Sequence, residues 1–231
     1  MPVAVITGAS KGLGRALAER LAAQGWDLVL GARTGEVLKE SAASAGAHGT
    51  RVVAVAGDVT DPAHRAELVA AAGALGGLDL LVSNASALGA EPLVRLAELP
   101  LDGFRAALET NAVAALGLVQ EALPLLRRSA RGAVLAVSSD AAVEAYGTWG
   151  GYGASKAALD LLAGVLAVEE PELRVWSVDP GDMATDLYAA AVPDDEEPRP
   201  SPAQVAPDFA RLVAERPASG RGTARDLLGS R

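Results

Sequence analysis

The chain has no cysteine, and among its 231 residues only two histidines, three lysines and 3% aromatics. Without cysteine there is no disulfide, no thiolate nucleophile and no zinc–thiolate centre. His48 and His64 each stand alone in polar surroundings and are read as surface residues; with no His/Asp/Glu cluster of ligand character, no metal is expected. Basic residues are outnumbered 20 to 29, giving a formal charge of −9. That balance disfavours nucleic acid, whose recognition rests on Lys and Arg meeting phosphates, and gives no support to an anionic membrane surface as partner. No uninterrupted apolar run of about 18 residues predicts a membrane span. The opening "MPVAVITGAS" has no basic segment leading into a long apolar one, so no signal peptide is expected and a cytoplasmic protein is the default.

What is present is a regular alternation. Short apolar runs at 3–7, 27–32, 51–57, 78–83, 133–139 and 174–179 lack polar alternation, as suits strands buried on both faces. Helical stretches are predicted at 14–24, 62–74, 102–128 and 152–169, with Pro62 just inside a start and Pro171 just past an end. Strand and helix in alternation imply right-handed crossovers and one α/β domain over 1–231: a Rossmann-like, doubly wound parallel sheet with helices on both faces. The proline- and acid-rich stretch around 190–207 is expected to be irregular, and the segment 183–207 is read as a mobile loop beside the carboxyl edge of the sheet, where ligands bind in such folds.

The first strand runs into "TGASKGLG" and then a helix, with Gly8, Gly12 and Gly14 in the turn. Glycines let backbone approach a pyrophosphate, and the new helix offers unpaired N–H groups and a positive end. This turn resembles the T-G-x-x-x-G-x-G cofactor turn of the short-chain dehydrogenase/reductase family. The resemblance continues through "GDV" (57–59), "SNAS" (83–86, where the family has N-N-A-G), Asn111, "SS" (138–139), "YGASK" (152–156) and "PGDMAT" (180–185), weakening after about residue 190. It implies cofactor contacts from Thr7, Gly8, Ser10, Lys11, Gly12, Leu13 and Gly14, from Asn84 and Ala85, and from Pro180, Gly181 and Thr185. Asp58 would meet the adenine amino group, Val59 its ring, and Thr185 the nicotinamide carboxamide. Ser83 and Ser86 depart from the family pattern, and Ser86 lacks glycine's freedom at positive φ.

The end of the second run reads Gly31-Ala32-Arg33-Thr34, with no carboxylate to take both ribose hydroxyls. Arg33 offers a fork of donors suited to a 2′-phosphate and Lys11 adds a second charge, so NADP(H) is expected over NAD(H).

Tyr152 and Lys156 are four apart, on one face of a helix. Tyrosine is a poor acid/base at a pKa of about 10, and a neighbouring ammonium would stabilise the phenolate. Ser139, thirteen residues before Tyr152, matches the family's spacing and would hold the substrate oxygen. The resemblance further implies that Asn111 anchors a water relaying protons to Lys156, and that Lys156 bonds the nicotinamide ribose. A pocket is expected from Leu88, Ala141, Tyr146, Trp149, Met183, Leu187 and Tyr188, mainly apolar and partly aromatic. The function these features predict is interconversion of a carbonyl and an alcohol by hydride transfer, with Tyr152 as general acid/base. The alternative is a dinucleotide-binding sensor or scaffold without turnover. By resemblance, a homodimer or homotetramer is expected.

Overall fold

The computed structural model describes residues 1–229; the last two residues of the predicted domain lie outside it. Seven strands form one parallel sheet: β1 (Val3–Thr7), β2 (Asp27–Ala32), β3 (Val52–Ala56), β4 (Leu80–Ser83), β5 (Ala133–Val137), β6 (Arg174–Asp179) and β7 (Gly220–Thr223). Their order is β3-β2-β1-β4-β5-β6-β7, so the direction of winding reverses between β1 and β4. The helices are α1 (Gly12–Ala23), α2 (Gly35–Gly46), α3 (Pro62–Leu75), α4 (Leu101–Leu108), α5 (Ala114–Leu126), α6 (Gly150–Glu169), α7 (Asp186–Ala191), α8 (Pro202–Glu215) and α9 (Ala224–Gly229).

Strand side chains feed two cores, one on each face, which is why the apolar runs do not alternate with polar residues. Along β1, Ala4 and Ile6 enter one core with Leu17, Leu21, Trp176 and Phe209, while Val3 and Val5 enter the other with Leu68, Leu118 and Leu159. Helix α6 is long and apolar enough to cross a membrane by length and composition alone. Tyr152, Ser155, Lys156, Leu159 and Ala163 of this helix are nonetheless buried within the protein.

The six predicted strands are present, with ends trimmed by up to two residues. The stretch predicted as one helix over 102–128 is two, joined by a π-helical turn at Glu109–Val113. Such turns recur at functional sites. The segment 190–207 is less irregular than expected: α7 runs to Ala191, and α8 starts at Pro202 behind Ser201, whose N–H donates to Gln204 Oε1 at 2.8 Å. Only the stretch between those helices lacks regular structure. His64 also differs from expectation. It is 6% exposed, packed against the backbone of Gly57 and Gly31, and burial lowers its pKa. The absence of a side chain at Gly57 makes room for the ring.

Candidate active site

The reversal of winding opens a cavity of about 450 Å³ at the carboxyl ends of the strands. Its floor is the glycine turn. Gly8 and Gly12 hold φ of +63° and +58°, which side chains seldom adopt. A Cβ at Gly14 would fall 2.6 Å from Asn84 Nδ2 and against the Gly8 carbonyl. Asn84 clamps the turn by donating to Thr7 O at 2.9 Å and Gly8 O at 3.2 Å. Thr7 Oγ1 in turn accepts from the N–H groups of Asn84 and Ala85, at 3.0 and 3.1 Å. Lys11 precedes α1 without side-chain capping, which leaves that helix end to an external anion.

Of the residues expected to hold a cofactor, all but Gly14 line this cavity. Gly14 acts from beneath, through the close approach just described. At the rim beyond β2, Arg33 has no hydrogen bond or ion pair among the described residues. Asp58 nearby is held below the ordinary carboxylate range, first by the Thr60 N–H and less by the Arg33 charge. Lys11 pairs with Asp186 at 2.7 Å, but both side chains are exposed. An exposed pair contributes only about 0–1 kcal/mol, so a phosphate could displace it cheaply. The fit is that of a dinucleotide: backbone within reach of a pyrophosphate, free amides at a helix start, and an unmatched guanidinium.

At the opposite end stand Ser139, Tyr152 and Lys156. Ser139 follows the end of β5 and opens a short 3-10 turn, Asp140–Ala142. Helix α6 docks on that turn because Gly153 carries no side chain; a Cβ there would strike the Ala141 carbonyl. Ser139 Oγ accepts from Ala141 N–H at 3.2 Å and donates to Asp140 Oδ1 at 3.1 Å. Lys156 is fully buried, donates to Val137 O at 2.8 Å, and has Nζ 5.6 Å from the Tyr152 ring centroid.

The electrostatics differ from the expected depression of the tyrosine by the lysine. Within the protein's own atoms burial dominates: it pushes the Tyr152 phenol up to about 12 and the Lys156 ammonium down to about 8. Each group loses solvation of its charged form, and for Lys156 the Asp160 charge offsets only part of that loss. Ser86 faces the phenol and opposes its rise, although the Ser86 hydroxyl oxygen is buried without completing a well-formed hydrogen bond. The residue takes no positive φ, so its departure from glycine is accommodated without strain.

Asn111 does not line the cavity. Its side chain accepts from Ala87 N–H at 2.8 Å and donates to Ala87 O at 2.9 Å and Ser155 Oγ at 2.7 Å. From the π-helical turn it thus ties the loop after β4 to the helix bearing Tyr152. Both amide hydrogens are spent on protein partners. Among the expected pocket residues, Leu88, Trp149, Met183, Leu187 and Tyr188 line the main cavity, Tyr146 faces a side recess, and Ala141 packs behind with Leu88 and Tyr152. Sequence reasoning missed His64, Asp140, Asp179 and Asp182 as wall residues. The adjacency of Asp140 to Ser139, and of Asp179 and Asp182 to "PG", was the available signal.

A parallel sheet with a dinucleotide cradle at its switch point, and a serine, tyrosine and lysine beside it, defines the class of Rossmann-fold oxidoreductases. The family profile described as short chain dehydrogenase matches residues 2–196, and the chain belongs to that family. It is 35% identical over 188 residues to an uncharacterized oxidoreductase of Saccharomyces cerevisiae, covering 80% of this chain and 72% of that protein. It is likewise 35% identical over 202 residues to sepiapterin reductase of Meriones unguiculatus, covering 82% and 77%. Among solved structures, a short chain dehydrogenase from Shigella flexneri complexed with NADP superimposes with a TM-score of 0.90 at 27% identity, covering 97% of each chain. An alcohol dehydrogenase from Thermococcus sibiricus complexed with 5-hydroxy-NADP gives 0.85 at 28% identity, covering 96% of this chain and 94% of that one.

Proposed function

We propose that this protein is an NADP(H)-dependent oxidoreductase that interconverts a ketone or aldehyde and the corresponding alcohol. The observation that carries the reading is the meeting of Ser139, Tyr152 and Lys156 on one wall of the cavity whose floor is the glycine turn. When bound, the nicotinamide supplies or accepts the hydride at its C4. The chain's own residues handle the proton. Tyr152, neutral at physiological pH with its pKa near 12, donates its phenolic proton to the substrate oxygen as negative charge develops there. Ser139 turns its O–H from Asp140 to the same oxygen, holding it in place. The Lys156 ammonium, anchored on Val137 O and facing the tyrosine ring, stabilises the phenolate left behind. Asn111 keeps the two walls in register.

The direct test is NADPH consumption, followed by absorbance, against a panel of ketones, aldehydes and diones. Binding of NADPH with no turnover on any of them would favour the sensor reading. Cofactor choice rests on Arg33, the unmatched cation at the end of β2. A hydrogen bond to a charged group contributes about 1.5–3 kcal/mol. Arg33→Ala is therefore expected to weaken NADPH binding by roughly ten- to a hundredfold while leaving NADH binding nearly unchanged. Equal losses for both cofactors in calorimetry would remove the basis for the NADP preference.

We also infer a homo-oligomer. Helix α6 exposes Leu161, Val165 and Val168 at 70%, 45% and 80%, spaced along one face, and α5 exposes Leu116. Light scattering should give a dimer or tetramer mass that Leu161→Glu lowers. A monomer mass for the unaltered protein at all concentrations would count against it.

A further inference from the structure

The two ends of the cavity differ in charge. At the cofactor end Lys11 and Arg33 are accompanied by Asp186 and Asp58, whereas the opposite mouth is walled by Asp140, Asp179 and Asp182. Off that mouth opens a side recess of about 230 Å³, lined by Asp140, Tyr146, Trp149, Asp182 and Tyr188. Three of its five walls are aromatic, in a chain with only eight aromatic residues.

The carboxylates there are poorly matched. Asp140 accepts only hydroxyls, from Ser139 at 3.1 Å and Tyr146 at 3.0 Å, and has no cation beside it among the described residues. Asp182 has Arg199 at 3.8 Å, a long ion pair, while the nearer partner of that arginine is Asp195 at 2.7 Å. Burial first, and then the charges of its acidic neighbours Asp140 and Asp195, push Asp182 above the ordinary carboxylate range. Asp179 is raised by burial and by Asp140 and Asp182, which together outweigh the Gly181 N–H and the Arg221 charge that pull it down. Bringing a positive group into the recess would relieve this repulsion; an anion would add to it.

The rings favour the same ligand. A cation is drawn to the negative face of an aromatic ring. The wall already displays the arrangement, with the Arg199 guanidinium 5.4 Å from the Tyr188 ring centroid. The recess also touches the reacting centre. Asp140 spans both, holding Ser139 with one oxygen and Tyr146 with the other. Trp149 meets the Tyr152 ring edge-on at 5.7 Å between centroids. A substrate with its carbonyl oxygen at Ser139 and Tyr152 would place a substituent a few bonds away among these rings.

We propose that the recess binds an ammonium group of the substrate, so that the enzyme acts on carbonyl or alcohol compounds carrying an amine cation, rather than on neutral or acidic ones. This rests on the oxidoreductase reading for the position of the carbonyl, but the recess itself can be tested without turnover. Trp26 and Trp176 are buried elsewhere in the core, at 5% and 0% exposure, so Trp149 is the tryptophan that reports on the recess.

The experiment compares choline with its uncharged isostere, in which a tert-butyl group replaces the trimethylammonium. Binding to the protein saturated with NADP is read by tryptophan fluorescence, with Trp149→Phe as the blank. Choline should bind at least tenfold more tightly than the isostere. Asp182→Asn and Tyr146→Leu, with unchanged far-UV circular dichroism, should each reduce that preference several-fold. Equal binding of the two compounds, or no response to either, overturns the proposal, as does a preference that survives both substitutions. If choline binds selectively but no carbonyl compound, cationic or neutral, consumes NADPH, it is the oxidoreductase reading that fails and the cation site that stands.

Discussion

Replacing Tyr152 by phenylalanine should lower NADPH-dependent turnover by at least about a hundredfold while leaving NADPH binding within a factor of two or three. The basis is specific to the phenolic oxygen. Tyr152 is 6% exposed, and its ring packs among Leu88, Ala141, Ala191 and Trp149, contacts that phenylalanine keeps. The hydroxyl makes no well-formed hydrogen bond that the substitution would break, so thermal stability should change little. What disappears is the proton donor, and a positioned general acid contributes about 10²–10⁴ to rate. Ser139 cannot replace it, because a serine hydroxyl is a far weaker acid and here is held by Asp140 and the Ala141 N–H. The measurement is kcat on any carbonyl the intact enzyme reduces, with NADPH affinity by calorimetry alongside. Turnover that persists within tenfold would mean the proton comes from elsewhere, and the roles given to Ser139 and Lys156 would fall with it.

The parts of this molecule that could be read from sequence are those where local chemistry and global fold agree. Buried parallel strands need continuous aliphatic runs, and β1, β2, β4 and β5 supply them. Strand β7 reads Gly-Arg-Gly-Thr and carries no such signal, because it is a short edge strand held by the backbone of β6. Helix α2 escaped notice because its buried face is Leu38, Ser41 and Ala45, with a serine where periodicity looks for an apolar side chain. Ser41 is satisfied by the Ala9 carbonyl at 2.7 Å, a contact that exists only once the chain is folded. The stretch around 190–207 looks irregular by its prolines and acids, yet Pro202 sits at a helix start, where proline is favoured, and Pro207 lies inside α8.

The candidate site divides along the same line. The spacing of Tyr152 and Lys156 places them on one face whatever surrounds them, and the glycine turn declares itself by residue type. The state of those groups depends on burial, which no spacing reports. Reasoning from proximity alone makes the lysine lower the tyrosine; in the folded protein desolvation dominates both groups. The aspartates at the mouth are a cluster that no single stretch shows: Asp140 follows β5, Asp179 ends β6 and Asp182 follows it, and they come together only when β5 and β6 pair.

Lys156 shows what that burial costs, and Lys156→Met should make the protein more stable at neutral pH as it becomes a worse catalyst. A lysine whose folded pKa lies near 8 instead of its ordinary 10.5 is carried as a charged group at pH 7 in surroundings that oppose the charge. In the unfolded chain the proton is held up to about 10.5, so between 8 and 10.5 the unfolded state binds more protons and folding stability rises with pH. Below 8 the full penalty is present, at most roughly 3 kcal/mol from the two pKa values. Methionine has similar length and no charge, but it leaves Val137 O without its donor, a loss of about 1 kcal/mol. The balance is a gain of about 1–2 kcal/mol, which for a chain of this size raises Tm by roughly 2–8 °C. The gain should shrink as pH rises from 8 to 10, as the wild-type lysine loses its proton. Over the same substitution, turnover should fall about a hundredfold, since the phenolate of Tyr152 would form in a buried site with no cation beside it. Thermal melts at pH 7 and pH 10, with kcat at pH 7, measure both sides. A methionine variant that melts lower at pH 7 would show that the ammonium is held by more than Val137 O; one that melts higher yet keeps its turnover would deny the lysine any part in the chemistry. The opposed changes expected here are the mark of a charge retained for function in a place where stability alone would exclude it.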